Sequence, residues 1–152
     1  MIMKKYYLII ILLLFTQCNY EPIYSKNNQN FRIKIIEFNK NRSNKILATR
    51  LKNYSYKKNN LFLYELKLLT SENKLILSKD TKGDPLLLGL KINLKIEVYE
   101  KDKLVAKKEY NEQFNYQNLS KKFELKSYES EIRLNIYNKM ISKILIDLAN
   151  LK

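Results

Sequence analysis

Between Leu88 and Val98 the chain alternates without a break. Leu88, Leu90, Ile92, Leu94, Ile96 and Val98 are apolar, and Gly89, Lys91, Asn93, Lys95 and Glu97 between them are not. Successive side chains of an extended strand point to opposite sides. The run therefore predicts an amphipathic strand with one oily face, and some other part of the chain must cover that face. After a turn at "EKDK" (100–103), Leu104, Ala106, Tyr110, Phe114 and Tyr116 resume the alternation, with Lys108 and Glu112 as exceptions. The two runs predict a long antiparallel hairpin.

The remaining segments fit around that hairpin. Phe31, Ile33 and Ile35 alternate with Arg32 and Lys34, a half-buried strand by its period of two. "NKNRSNK" follows as a turn in which Asn41 or Ser43 is placed to cap a helix. Leu47, Ala48, Leu51 and Tyr54 then fall at helical spacing, predicting a helix over about 43–55. Phe62, Tyr64, Leu66 and Leu68 predict a second strand. "TSENK" reads as a turn, and residues 75–79 as a returning third strand. "DTKGDP" (80–85) is the strongest turn signal in the chain. Finally Tyr137, Ile141, Ile144, Leu148 and Leu151, widened by Ile136, Met140 and Leu145, make a broad apolar stripe, with Lys139 and Lys143 mostly facing away. That predicts a helix over about 127–150 whose stripe covers the oily face of the sheet. The expected fold is α+β: two helices packed on one face of a mostly antiparallel sheet of four to five strands, in the order β-α-β-β-β-β-α.

The N-terminus has a different character. Lys4 and Lys5 precede "YYLIIILLLF" (6–15), which carries no charge. A membrane-crossing helix needs about 20 apolar residues, and this run is shorter. A basic start followed by a short apolar core is the form of a secretory signal peptide. The A-x-A cleavage site of an ordinary signal is absent. Instead Phe15-Thr16-Gln17-Cys18 resembles a bacterial lipobox, with Phe15 where Leu is usual and Gln17 where a small residue is usual. The resemblance implies cleavage before Cys18, a diacylglycerol on its thiol and a further acyl chain on the new amine. Cys18 is the only cysteine, and a lone thiol in an exported protein has no intramolecular partner. Each buried methylene adds about 0.8 kcal/mol of membrane affinity, and stable anchoring takes more than one chain, which two or three acyl chains on Cys18 would provide. Asn19 follows, where Asp marks inner-membrane retention, so the expected location is the outer membrane. The expected division is a signal peptide over 1–17, a lipidated tether over 18–30 and a single domain over 31–152.

The chain carries a net charge of +14 over 152 residues. Removal of the signal peptide takes away Lys4 and Lys5 and leaves 27 basic against 15 acidic side chains, a balance of +12. Such a charge suits a polyanionic partner: nucleic acid, anionic lipid or a phosphorylated glycolipid. Part of it reflects composition, since Lys, Asn, Ile and Tyr are the residues that AT-rich codons favour. The lysines are scattered, and the export signal argues against nucleic acid.

Cys18-Asn19-Tyr20-Glu21-Pro22-Ile23-Tyr24 resembles the "CGFxPLY" start of the LptE family of lipopolysaccharide-assembly lipoproteins, with Asn19 for Gly and Ile23 for Leu. Phe114 to Leu148, "FNYQNLSKKFELKSYESEIRLNIYNKMISKILIDL", is similar to that family's C-terminal region, where an aromatic-rich strand leads through a polar linker into a long helix. The resemblance implies a Gram-negative, palmitate-bearing lipoprotein on the periplasmic face of the outer membrane. It implies a plug for the LptD β-barrel that supports the barrel's assembly and handles lipopolysaccharide on its way outward. A many-stranded barrel leaves a polar lumen, and the sheet face carrying Lys91, Asn93, Lys95, Lys107, Asn111 and Asn115 could meet such a wall. Lys91, Lys95 and Lys107 are the candidate contacts to the barrel or to lipid A phosphates, since Lys binds phosphate as a point charge. The plain alternative for each is a solvated strand surface.

Catalysis is not expected. The chain has no histidine, so no imidazole base or metal ligand. Cys18 is committed to lipid, and Gly83 and Gly89 are too few to build a phosphate loop. Glu129 and Glu131 read as an acidic first helical turn favoured by the helix dipole. No cofactor is expected beyond the covalent lipid on Cys18. Two rival readings stand: a stand-alone periplasm-facing lipoprotein binding an anionic ligand or cell-wall component, and, if the N-terminus is not a signal, a cytosolic basic protein binding nucleic acid.

Overall fold

The computed structural model describes residues 31–38, 42–54 and 62–151. The expected signal peptide, Cys18 and the tether up to residue 30 lie outside the described residues, as does Asn41. The elements are β1 (Phe31–Phe38), α1 (Arg42–Lys52), β2 (Phe62–Lys79), β3 (Pro85–Glu100), β4 (Lys103–Gln117) and α2 (Lys122–Ala149). The four strands form one sheet in the order β1-β2-β3-β4. β1 and β2 pair in parallel, joined through α1, and the other pairs are antiparallel. This is the expected α+β class.

The long alternation sets the layout. Leu88, Leu90, Ile92, Leu94, Ile96 and Val98 are all at most 3% exposed. Register brings Leu66, Leu68 and Thr70 of β2 and Tyr110 and Tyr116 of β4 onto the same face. Phe31 and Ile33 of β1 continue it through Tyr64. Both helices cover this face: Leu47, Ala48 and Leu51 of α1, and Ile132, Ile136, Tyr137, Met140, Ile141, Ile144, Leu145 and Leu148 of α2. Each fully buried aliphatic side chain contributes about 1.5–3 kcal/mol, so the sheet and the stripes hold each other. The Arg50 guanidinium donates to the Asn138 side-chain oxygen and ties the two helices together.

One expected feature is absent. "TSENK" is not a turn, and β2 runs through it as a single strand of 18 residues. The order is therefore β-α-β-β-β-α, with four strands. The reason is the length of β3, which offers an unbroken ladder from Thr70↔Leu94 to Lys74↔Leu90. Two of the polar residues there, Glu72 and Lys74, face inward as partners of α2: Arg133 donates to Glu72 at 2.7 Å, and Lys74 to Glu129 at 2.5 Å. The helices also shift at their ends. Ser43 lies inside α1 rather than capping it, and its hydroxyl donates to Glu72 at 3.2 Å. α2 begins at Lys122, well before the apolar stripe. The turn between β2 and β3 forms where expected. The Asp80 carboxylate accepts from the amides of Lys82 and Asp84, and Gly83 sits at φ +90, a conformation that favours glycine.

Candidate functional site

With one face of the sheet sealed, the opposite face is open. Its rows follow from the register: Leu69–Lys95–Glu109, Ser71–Asn93–Asn111, Asn73–Lys91–Gln113 and Leu75–Gly89–Asn115. The candidate lysines Lys91, Lys95 and Lys107 all stand on it. Lys91 and Lys95 are four positions apart on β3, about 13 Å along an extended strand, so they share the face with Asn93 standing between them.

The face divides into two halves. Toward the β3–β4 turn it is a lattice of ion pairs. Lys107 contacts Glu97 at 2.7 Å, and the Tyr99 hydroxyl donates to the same carboxylate at 2.7 Å. These hydrogen bonds, that from Lys107 first, hold the Glu97 carboxyl below its ordinary range. The bond to Glu97 in turn raises the Lys107 ammonium above its own. Lys67 reaches Glu37 at 3.1 Å and lies 5.3 Å from the centre of the Tyr99 ring. Lys34 pairs with Glu65 at 2.5 Å. Lys95 stands farther from Glu109, at 3.9 Å. Toward the β2–β3 turn the face is paved with neutral carboxamides: Asn73, Asn93, Asn111, Gln113, Asn115 and Gln117. Lys91 is the one cation of those rows and has no ion-pair partner among the described residues. The Asn93 side-chain oxygen is buried with no hydrogen-bond partner among them. Gly89 is closely approached here: a Cβ on it would meet the Asn115 oxygen and a Leu77 methyl, each at 3.3 Å, and these side chains would have to give slightly. The three lysines therefore differ. Lys107 is neutralised, Lys95 is loosely paired, and Lys91 is free to meet an external anion.

On the inner side, α2 is held along its length, from Glu129 to Asp147, by polar contacts that the sequence pattern did not announce. Glu112 is 9% exposed and accepts from Lys139 at 2.7 Å and from Lys143. The two lysines expected to face away thus reach back over the edge of the sheet. Glu129 accepts from Lys74 and, at 2.8 Å, from the Tyr116 hydroxyl, so it is a buried anchor rather than an exposed first-turn charge. Tyr110 donates to Asp147 at 2.6 Å. Burial first, and the bond to Asp147 second, push the Tyr110 hydroxyl far above its ordinary range. The signal that could have revealed the cluster is Glu112 itself, an acidic residue on the apolar side of β4's alternation.

Two grooves flank α2. One, of about 800 Å³, opens between the helices and includes Arg42, Ile46, Phe123, Lys126 and Arg133. The other, of about 280 Å³, runs between α2 and β4 along Phe114, Tyr128, Ile132 and Ile136. Among the described residues no cluster of three or more potential metal ligands occurs, and no helix is long and apolar enough to cross a membrane.

Three solved structures share this fold. Rare lipoprotein B from Shewanella oneidensis superposes with a TM-score of 0.58 at 16% identity, covering 78% of this chain and 94% of its own. Lipoprotein B from Nitrosomonas europaea gives 0.58 at 14% identity, with 79% and 85% covered. A minor lipoprotein from Acinetobacter baumannii gives 0.55 at 14% identity, with 79% and 90% covered. No protein-family model matches the sequence, and no curated protein sequence does. At these identities the likeness establishes the fold.

Proposed function

We propose that this chain is a non-enzymatic lipoprotein of the Gram-negative cell envelope, anchored through acyl chains on Cys18 to the periplasmic face of the outer membrane. There it supports assembly of an LptD-like β-barrel, plugs its lumen and assists lipopolysaccharide transport. The observation that carries the reading is the joint occurrence of two independent features. One is a lipobox-like seam at Cys18 followed by an LptE-like start. The other is a fold shared with proteins described as lipoproteins from three Gram-negative species. The form of the domain suits a plug: one face of the sheet is sealed by helices, and the other presents carboxamides and lysines to a polar wall. Lys91 is the strongest candidate for an anionic contact, because the acidic neighbours that occupy Lys95 and Lys107 have no counterpart beside it.

A second reading, a stand-alone lipoprotein binding an anionic ligand, is favoured by one observation. The larger groove carries Arg42 and Lys126 beside the exposed ring of Phe123, with Arg133 at its wall already paired to Glu72. Affinity purification of the tagged, full-length protein from native membranes separates the two. The plug reading expects a large β-barrel protein in near-equal amount, and intact mass spectrometry showing an acylated Cys18 as the first residue. A monomer without a barrel favours the groove reading. An unmodified Cys18 thiol, or an uncleaved Met1, overturns both.

A further inference from the structure

The two edges of the sheet are built differently. β1 is short, carries exposed Arg32 and Lys34, and shifts register between Ile35 and Glu37. Charge and a bulge are ordinary ways to stop an edge from pairing with another chain. β4 has neither along its second half. From Tyr110 to Gln117 its ladder with β3 runs without a register shift and contains no proline. The one charged side chain, Glu112, points inward and is held by Lys139 and Lys143. The outward side chains are four carboxamides, Asn111, Gln113, Asn115 and Gln117. Eight residues of regular edge, uncharged on the outer face, therefore present unpaired backbone groups among the described residues.

The groove between β4 and α2 lies directly beside that edge. It is where the inward side chains of an added fifth strand would fall. Phe114 is 45% exposed and Tyr128 39% exposed, and these two rings are the apolar surface that the groove offers above a floor of buried Ile132 and Ile136. An extended segment laid along β4 would complete the backbone ladder and fill this groove with alternate side chains. Lys108 near one end of the edge and Lys122 beyond the other form no ion pair among the described residues, while Glu109 beside Lys108 stands 3.9 Å from Lys95. A second copy of this chain is a poor occupant. Its own edge is flanked by Lys108 and, past the strand, by Lys122, so antiparallel pairing of two copies would bring lysine toward lysine at each end, and like charges repel.

We infer that the Tyr110–Gln117 edge of β4 is a strand-addition site. Its occupant is an extended segment of a partner protein, apolar toward the groove, uncharged and polar outward, with carboxylates at both ends. The inference stands on the edge and its groove and does not depend on the partner being a barrel.

The test uses the purified full-length protein and a synthetic peptide of four Thr-Val repeats flanked by Asp-Glu at each end. A control peptide carries Pro in place of a central Val. In an antiparallel edge strand alternate amides are bonded to the neighbouring strand. Exchange of the amides of residues 110–117 that point away from β3 is expected to be rapid in the protein alone and to slow by about tenfold or more with the first peptide. Exchange over Phe31–Phe38 stays unchanged, and the control peptide has no effect. Phe114→Lys, at a position already half exposed, is expected to weaken peptide binding by about tenfold or more and to leave the thermal transition in place. Equal slowing by both peptides, or no slowing at β4, overturns the inference. So does slow exchange of those amides in the protein alone: independence of concentration would show the edge covered by its own chain, and dependence would show a second copy there. Failure to recover a barrel from native membranes would remove the proposed function and leave this result intact.

Discussion

Glu112 offers the sharpest test of how α2 is held to the sheet. Its carboxylate lies inside the edge of β4 and takes hydrogen bonds from Lys139 and Lys143, whose side chains are 62% and 48% exposed. Burial pushes its carboxyl up, but the bonds from the two lysines outweigh burial and hold it below the ordinary range. A hydrogen bond to a charged group contributes about 1.5–3 kcal/mol where solvent is excluded. Ion pairs open to water contribute about 0–1 kcal/mol each. Both lysines are about half in water, so the pair together is worth about 1–2 kcal/mol. Glu112→Gln, which keeps the shape and removes the charge, is expected to lose about that much stability at neutral pH. The sign of the pH dependence follows from linkage. The folded carboxyl titrates below its unfolded value, so its stabilisation is present above about pH 4.3 and is lost as pH falls through the lowered folded value. The two proteins should converge at an acid pH below that lowered value. Glu112→Leu should lose less than Glu112→Gln, because it releases both lysines to water and adds apolar contact beside Phe114 and Ile136. Urea unfolding followed by circular dichroism at both pH values, with an unchanged slope, measures all three proteins. A Gln variant as stable as the parent at neutral pH, or an equal loss at both pH values, would refute the pairing.

Three further substitutions probe other parts of the fold. Tyr137 is fully buried, and its hydroxyl finds no hydrogen-bond partner among the described residues; Tyr137→Phe is expected to stabilise by about 1 kcal/mol, read as a rise in the urea midpoint. The β3–β4 turn places Lys101 and Asp102 at φ 48 and 64. Asp102→Gly should relieve that conformation and raise the melting temperature by a few degrees, for a gain of about 0.5–1 kcal/mol. Leu94 is 0% exposed on the central strand β3, and Leu94→Ala should lose about 2–5 kcal/mol, visible as a large fall in the urea midpoint.

The fold was legible wherever the apolar period was clean. β3 and the C-terminal stripe of α2 follow from spacing alone, because burying one oily face against another dominates their energetics. The reading failed at residues 70–74 for a physical reason. Glu72 and Lys74 lie on the inner face, where spacing calls for apolar side chains, and a polar run of that kind is indistinguishable from a turn until its partners are known. Those partners, Arg133 and Glu129, are about sixty residues away on α2. Glu112 broke the pattern of β4 for the same reason. The candidate lysines were assigned to their common face correctly, since alternation fixes the face. What alternation cannot give is the neighbour across the ladder. Lys107 lies against Glu97 and Lys95 against Glu109, whereas Lys91 lies against Gln113, and this register decides which of the three keeps its charge available.

The same register bears on how a charge of +14 is used. On the outer face Lys34, Lys67 and Lys107 each sit within 3.1 Å of a carboxylate, but each such pair uses one acid for one base and leaves the excess to the other cations. The remaining free lysines are dispersed, so attraction to a polyanion is diffuse and screened over about 8 Å at physiological salt. Diffuse charge brings a partner to the molecule but does not orient it. Orientation requires fixed directional groups. On this fold these are the carboxamide rows around Asn93 and the open backbone of β4, both on the half of the sheet where ion pairs are sparse. Screening by salt should therefore slow encounter far more than it loosens a complex once formed.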